Sequence, residues 1–153
     1  MHDKYKIYVA SDYRGYQFRQ QVLDLLRGHH DFVEVIDMGC DTDEQNDYND
    51  YAISVAREVK KEKTNFGVLI CGSAHGMTIQ ANRFKGIRAC NCASTESAKL
   101  AREHENANIL CLSSELTKQQ DISDILYAFF HTQYTSTDRR DARIARLDEE
   151  END

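Results

Sequence analysis

The sequence predicts a three-layer α/β/α sandwich, doubly wound on a five-stranded parallel sheet in the order 2-1-3-4-5. Two observations carry this. Five short apolar segments, rich in β-branched residues, are separated by stretches with helical periodicity. No internal repeat, linker or low-complexity segment interrupts the alternation, apart from an acidic end.

The first segment is 5–10 (YKIYVA). Phe18, Val22, Leu25 and Leu26 follow at helical spacing, with Gly28 as a stop. Residues 32–37 (FVEVID) form the second, followed by the stripe Ala52, Val55, Ala56 and Val59. Then come 66–71 (FGVLIC), 87–92 (IRACNC) and 108–112 (NILCL), the last followed by Ile122, Ile125, Leu126 and Phe129. Strand–helix alternation in one domain implies a parallel sheet covered on both faces. Right-handed crossovers then favour the order 2-1-3-4-5, in which the first and third strands are neighbours. Ligands in such sheets bind beyond the carboxyl ends of those two strands, so the segments after residues 10 and 71 are the places to search.

The 153 residues suit one domain, taken as 1–147. The net charge of −7 comes mostly from residues 148–153 (DEEEND), five acids read as a solvated tail. The body balances 21 acids against 19 bases and shows no basic stripe, which argues against a nucleic-acid partner. No apolar run approaches a membrane span and the first residues lack a secretory pattern, so the reading is cytoplasmic. Cys40, Cys71, Cys90, Cys92 and Cys111 have neither disulfide nor zinc spacing and read as reduced thiols, with Cys90 and Cys92 as buried structural ones.

Ser11-Asp12-Tyr13-Arg14-Gly15 follows the first strand, and Cys71-Gly72-Ser73-Ala74-His75-Gly76-Met77 follows the third. The second segment reads as a glycine turn into a new helix, whose free amides form an anion-binding concavity and favour a thiolate. Such a site could remove a proton α to a carbonyl; it could equally be a tight turn with a buried cysteine. His104 ends the helix before the fifth strand, either as a general acid–base or as a cation at the helix terminus. Arg139, Arg143 and Arg146 share one helical face, fit for a phosphate or for solvent beside Asp138, Asp141 and Asp148.

Taken together, Ser11-Asp12-x-x-Gly15, Val35-Ile36-Asp37-x-Gly39, Asp47-Tyr48 and Leu69-Ile70-Cys71-Gly72-Ser73 resemble the type B ribose-5-phosphate isomerases. So do Ala81-Asn82-x-Phe84-x-Gly86-Ile87-Arg88-Ala89, His104-x-x-x-Asn108 and Arg139-x-x-x-Arg143. The family includes allose-6-phosphate isomerases and the paired subunits of galactose-6-phosphate isomerase. The resemblance spans about residues 5–147 and implies a Rossmann-like fold, with dimers or dimers of dimers sharing active sites. It implies an aldose–ketose isomerase acting on a sugar phosphate without metal or organic cofactor. Cys71 would be the base, assisted by Ser73, with the amides of Gly72, Ser73, Ala74, His75, Gly76 and Met77 holding the enediolate. His104 would open the sugar ring, Asp12 and Tyr48 would position hydroxyls, and Arg139 and Arg143 would bind phosphate.

The sequence departs from the family pattern inside this site. Tyr13 replaces a phosphate-contacting histidine, Asn49 a proline, Ala74 a glycine and Glu105 an asparagine; His75 is unusual; and Glu115 stands where a phosphate-binding arginine is expected. These changes imply either a different sugar or a site rebalanced by Arg14, Lys118 or Arg140. A partner-dependent subunit or a sugar-phosphate-binding protein is the alternative reading.

Overall fold

The computed structural model describes residues 5–28 and 34–149. Its five strands are β1 (Lys6–Ser11), β2 (Glu34–Asp37), β3 (Asn65–Cys71), β4 (Ala89–Asn91) and β5 (Ile109–Ser113). All pair in parallel, in the order β2-β1-β3-β5-β4. The parallel sheet and the neighbouring first and third strands match the sequence reading, whereas the last two strands are exchanged relative to the expected 2-1-3-4-5.

Burial explains the exchange. Every residue of β5, ILCLS, is buried, so β5 takes a neighbour on both sides. Only Ala89 of the three β4 residues is buried, and Asn91 is exposed, as suits an edge. β4 is also shorter than 87–92 because the Arg88 and Ala89 amides are taken by the side chains of Asn108 and Asn82, at 2.8 and 2.7 Å. Of the expected second strand, residues 32 and 33 lie outside the described residues.

Among the described residues there are six α-helices: α1 (Tyr16–Arg27), α2 (Tyr48–Val59), α3 (His75–Ala81), α4 (Thr95–Glu105), α5 (Ile122–His131) and α6 (Asp138–Leu147). Period-two alternation splits the strand side chains between two cores. Ile7, Val9, Val68, Ile70, Leu110 and Leu112 meet Val22, Leu26, Ile125 and Phe129 of α1 and α5. Tyr8, Ala10, Leu69, Ile109 and Cys111 meet Ala52, Val55 and Val59 of α2 and Met77 of α3. Cys71 belongs to the second set, so its side chain is directed to the α2–α3 layer at the carboxyl end of the sheet.

Helix α6 stands apart, with none of its residues buried. Local polar contacts hold it. The Tyr134 and Ser136 hydroxyls donate to the Asp141 carboxylate at 2.7 and 2.6 Å and lower its pKa, and Thr137 caps the Arg140 amide. The Thr135 amide donates to the Glu103 carbonyl in the last turn of α4. The acidic end is not wholly solvated: half-buried Asp148 accepts the Gly86 amide at 2.7 Å, because that glycine's left-handed turn leaves its N–H without a backbone acceptor. Residues 150–153 lie outside the described residues. Among the described residues no helix is long and apolar enough to cross a membrane.

Candidate active site

The thiol turn is built by close packing of three segments. The Asp12 amide donates to the Ile70 carbonyl at 3.1 Å, which sets the β1 loop beside the end of β3. Gly15 makes that approach feasible, since a Cβ there would stand 2.7 Å from the Ile70 side chain and 2.9 Å from its carbonyl. From the other side the loop after β5 is pinned down. Ser114 and Glu115 donate their amides to the carbonyls of Cys71 and Gly72, and the buried Ser113 hydroxyl also donates to Gly72 while accepting the Leu116 amide.

Asp12 is 5% exposed, and its carboxylate caps a single 3-10 turn by accepting the Arg14 and Gly15 amides at 3.0 and 3.2 Å. Burial nonetheless raises its pKa above the ordinary value, against those two bonds. Cys71 is 4% exposed. Burial pushes its thiol up, the amides of Met77, Ala74 and Ser73 pull it down, and the Asp12 carboxylate adds to the rise. The expected net drop is therefore corrected: desolvation outweighs the amides collected at the head of α3. Those three amides face the sulfur, while the Met77 side chain itself is wholly buried core.

Ala74 is held at φ 69° at the entry to α3, a conformation that costs a residue with a Cβ roughly 1–2 kcal/mol. Ser73 accepts the His75 amide at 3.4 Å, and His75 is exposed. Tyr48, the first residue of α2, lays its ring over Gly76, where a Cβ would come within 2.6–2.8 Å of three ring atoms. Tyr13 is anchored through its amide to the Asn46 side chain at 2.9 Å. Thus Asp12 and the amides of Ser73, Ala74 and Met77 meet at the Cys71 thiol, with Tyr48 packed on the same turn at Gly76 and Tyr13 next in sequence to Asp12.

The other expected residues do not join them. His104 and Glu105 end α4, three residues before β5 and at its amino end, where Ile109 pairs with Gly67; Cys71 pairs with Ser113 at the opposite end. Four strand steps, about 13 Å, separate the two edges. Arg139 and Arg143 lie on α6, which packs on α4 and, through Asp148, holds the loop before β4. Both arginines are exposed, and His104 is half-exposed beside Glu103 at 3.6 Å. The thiol turn therefore lies at the carboxyl edge of the sheet, and His104 with the α6 arginines lies at its amino edge.

The contact least visible from the sequence pairs residues 101 positions apart. Arg14 donates from Nη1 to Glu115 Oε1 at 3.1 Å and from Nε to the Tyr13 hydroxyl at 3.2 Å. Nor does the sequence mark Arg19 and Arg102 as interior residues. Arg19 pairs with Asp37 at 3.2 Å and donates to the Cys40 carbonyl, whereas Arg102 donates to the carbonyls of Ala107 and Thr132. Burial lowers the Arg102 pKa to about 10. Among the described residues no three His, Cys, Asp or Glu side chains converge as a metal site.

A doubly wound parallel sheet, with a buried thiol among backbone amides at the switch point between β1 and β3, defines a ligand site of the α/β enzyme class. The Ribose/Galactose Isomerase family model matches residues 7–147, and the chain belongs to that family. It is 37% identical over 131 residues to the ribose-5-phosphate isomerase B of Escherichia coli, covering 84% of this chain and 85% of that protein. Among solved structures, the type B ribose 5-phosphate isomerase of Trypanosoma brucei superposes with a TM-score of 0.91 at 33% identity, covering 95% and 98% of the two chains. The ribose-5-phosphate isomerase B of Mycoplasma genitalium, determined with bound ribulose-5-phosphate, superposes at 0.89 with 34% identity and 95% coverage of each.

Proposed function

We propose that this protein is an aldose–ketose isomerase of sugar phosphates, with ribose 5-phosphate and ribulose 5-phosphate as the first pair to test. The observation that carries the reading is the Cys71 turn, which places an ionisable thiol, three amides and the Asp12 carboxyl at one strand tip. In the proposed reaction the Cys71 thiolate takes the proton from C2 of the open-chain aldose, and the electron pair moves onto the C1 oxygen. First-turn amides of α3, which have no intrahelical acceptor, stabilise the enediolate. Transfer of the O2 hydrogen to O1 and return of the proton from the Cys71 thiol to C1, as the O2 electron pair closes the C2 carbonyl, gives the 2-ketose and restores the thiolate. Ser73, Asp12 and Tyr48 position hydroxyls and protons around this exchange.

The split between the two sheet edges supports a shared site. His104, which would open the sugar ring, Glu105, and Arg139 and Arg143, which would hold the phosphate, come in this reading from a second copy. Apolar side chains left in solvent suit such packing: Ile79 on α3 is 62% exposed and Leu147 on α6 is 61% exposed. A groove lined by Thr78, Cys90, Leu100 and His104 lies along the β4 edge.

Two measurements test this. A panel of pentose and hexose phosphates should show interconversion of aldose and ketose by the wild-type protein and none by Cys71→Ala. Mixing inactive Cys71→Ala with inactive His104→Ala, then unfolding and refolding them together, should restore about a quarter of wild-type activity. Half of randomly paired dimers are mixed, and each mixed dimer holds one intact site of two. No recovery on mixing would refute the shared site, and activity in Cys71→Ala would refute the chemistry.

A further inference from the structure

We propose that Arg14 is the anion ligand at the thiol turn, kept oriented by Tyr13 and Glu115, and that this trio sets how tightly the phosphate of the substrate is held. The inference rests on the isomerase reading for the identity of the anion.

The Arg14–Glu115 bridge is placed by the same backbone that places the thiol. Arg14 lies two residues after Asp12, whose carboxylate accepts the Arg14 amide, and the Glu115 amide is bonded to the Gly72 carbonyl at 3.1 Å. The two side chains meet over Gly72, next in sequence to Cys71. A Cβ on Gly72 would lie 2.8 Å from Arg14 Cδ and 3.0 Å from Glu115 Oε1, so the bridge occupies the space that the missing side chain leaves.

Fold stability does not account for the arrangement. The side chains are 54% and 56% exposed, and an ion pair so open to water contributes little to stability. The guanidinium instead keeps an unused edge. One N–H of Nη1 goes to Glu115 and Nε–H goes to Tyr13, while the Nη2 donors have no partner among the described residues. A fork of that kind donates to two oxygens of a phosphate side by side. Among the described residues lining the adjoining cleft, which include Gln17, Gln21, Ser114 and Gln119, Arg14 is the sole cation. Glu115 therefore does two things: it fixes the direction of the fork, and it weakens the field an incoming anion meets.

The test measures binding without turnover. Ribose 5-phosphate and unphosphorylated ribose are titrated by calorimetry into Cys71→Ala protein, alone and combined with Arg14→Gln or Glu115→Gln; KM and kcat are then measured with Cys71 intact. Arg14→Gln should weaken ribose 5-phosphate binding by at least roughly ten- to a hundredfold, the effect of losing even one of the fork's charge-assisted hydrogen bonds, with the change in KM exceeding that in kcat. Ribose affinity should move far less, and the salt dependence of phosphate binding should become shallower. Glu115→Gln keeps an acceptor for Arg14, removes the charge, and should tighten ribose 5-phosphate severalfold. Equal losses for ribose and ribose 5-phosphate in Arg14→Gln, unchanged ribose 5-phosphate affinity, or no binding of ribose 5-phosphate to any variant overturns the proposal. Weakening by Glu115→Gln does so too, because Glu115 would then be an acceptor for sugar hydroxyls. Arg14-dependent binding without turnover by the wild-type protein would instead sink the isomerase reading and leave this one standing.

Discussion

Replacing Gly76 with alanine should separate activity from stability, because the nearest atoms the added methyl meets all belong to the Tyr48 ring. The new Cβ would stand 2.6 Å from Tyr48 Cζ and 2.7 and 2.8 Å from the flanking ring carbons, against an ordinary separation of 3.4–4 Å. The ring must retreat by roughly 1 Å at its hydroxyl end, the end that reaches toward substrate in the proposed site. Tyr48 is 38% exposed at the start of α2, so it has room to swing outward. Alanine in the first turn of α3 recovers about 0.5–1 kcal/mol relative to glycine, which offsets the looser packing of the displaced ring. Net stability should therefore stay within about 1 kcal/mol of wild type by denaturant titration. Activity should fall much further, since a displacement near 1 Å of a positioning group can lower turnover by about 10²-fold. In Tyr48→Ala protein the same glycine substitution should have almost no further effect. Full activity in Gly76→Ala, or an undiminished effect of that substitution without Tyr48, would refute the reasoning.

Three further predictions rest on buried or half-buried polar groups. The thiol of Cys71 is raised from an ordinary value of 9.0, so kcat/KM should still be climbing at pH 9, and a plateau near pH 7 would show that the amides outweigh burial after all. Cys90 is also raised and Cys92 is pushed up to about 12; these thiols hold their protons in the folded state after the unfolded chain has released them, so stability is intact below pH 9 and falls above it by about 1.4 kcal/mol per pH unit per thiol, as read by thermal melts. Ser113→Ala removes the hydroxyl that donates to the Gly72 carbonyl and accepts the Leu116 amide, and should cost about 1–3 kcal/mol in denaturant titrations while lowering activity through the thiol turn.

What the sequence disclosed and what it concealed follow from how far each feature reaches along the chain. Apolar periodicity marks strands and helices because burial is decided locally, and all five strands were legible to within a few residues. The positions of β4 and β5 were not, although the cue was present: Arg88 and Asn91 in one segment, an unbroken NILCL in the other. Cys71 could be found because a glycine turn beside a cysteine at a strand tip is a local pattern. Its titration could not be judged in advance, since burial supplied by α2 and α3 decides against the nearby amides. His104 and the α6 arginines were legible by resemblance, yet their place at the opposite edge of the sheet emerges only when strand direction is traced. Arg14 and Glu115 each look like surface charges in isolation. Their meeting depends on the packing of two loops over Gly72, which no window along the sequence contains.

The seating of the loop after β5 has an evolutionary consequence. Its grip on the thiol turn comes from the main chain of Ser114 and Glu115 and from the Ser113 hydroxyl, none of which involves the side chain at position 115. That position is thus a socket: its backbone is committed to the chemistry while its side chain is free to vary. A single substitution there can change the charge presented beside Cys71 without shifting the sulfur. Under the proposed anion site, exchanging residues 14 and 115 in concert would retune how tightly the phosphate is held while the main-chain seat of the thiol turn stays as it is.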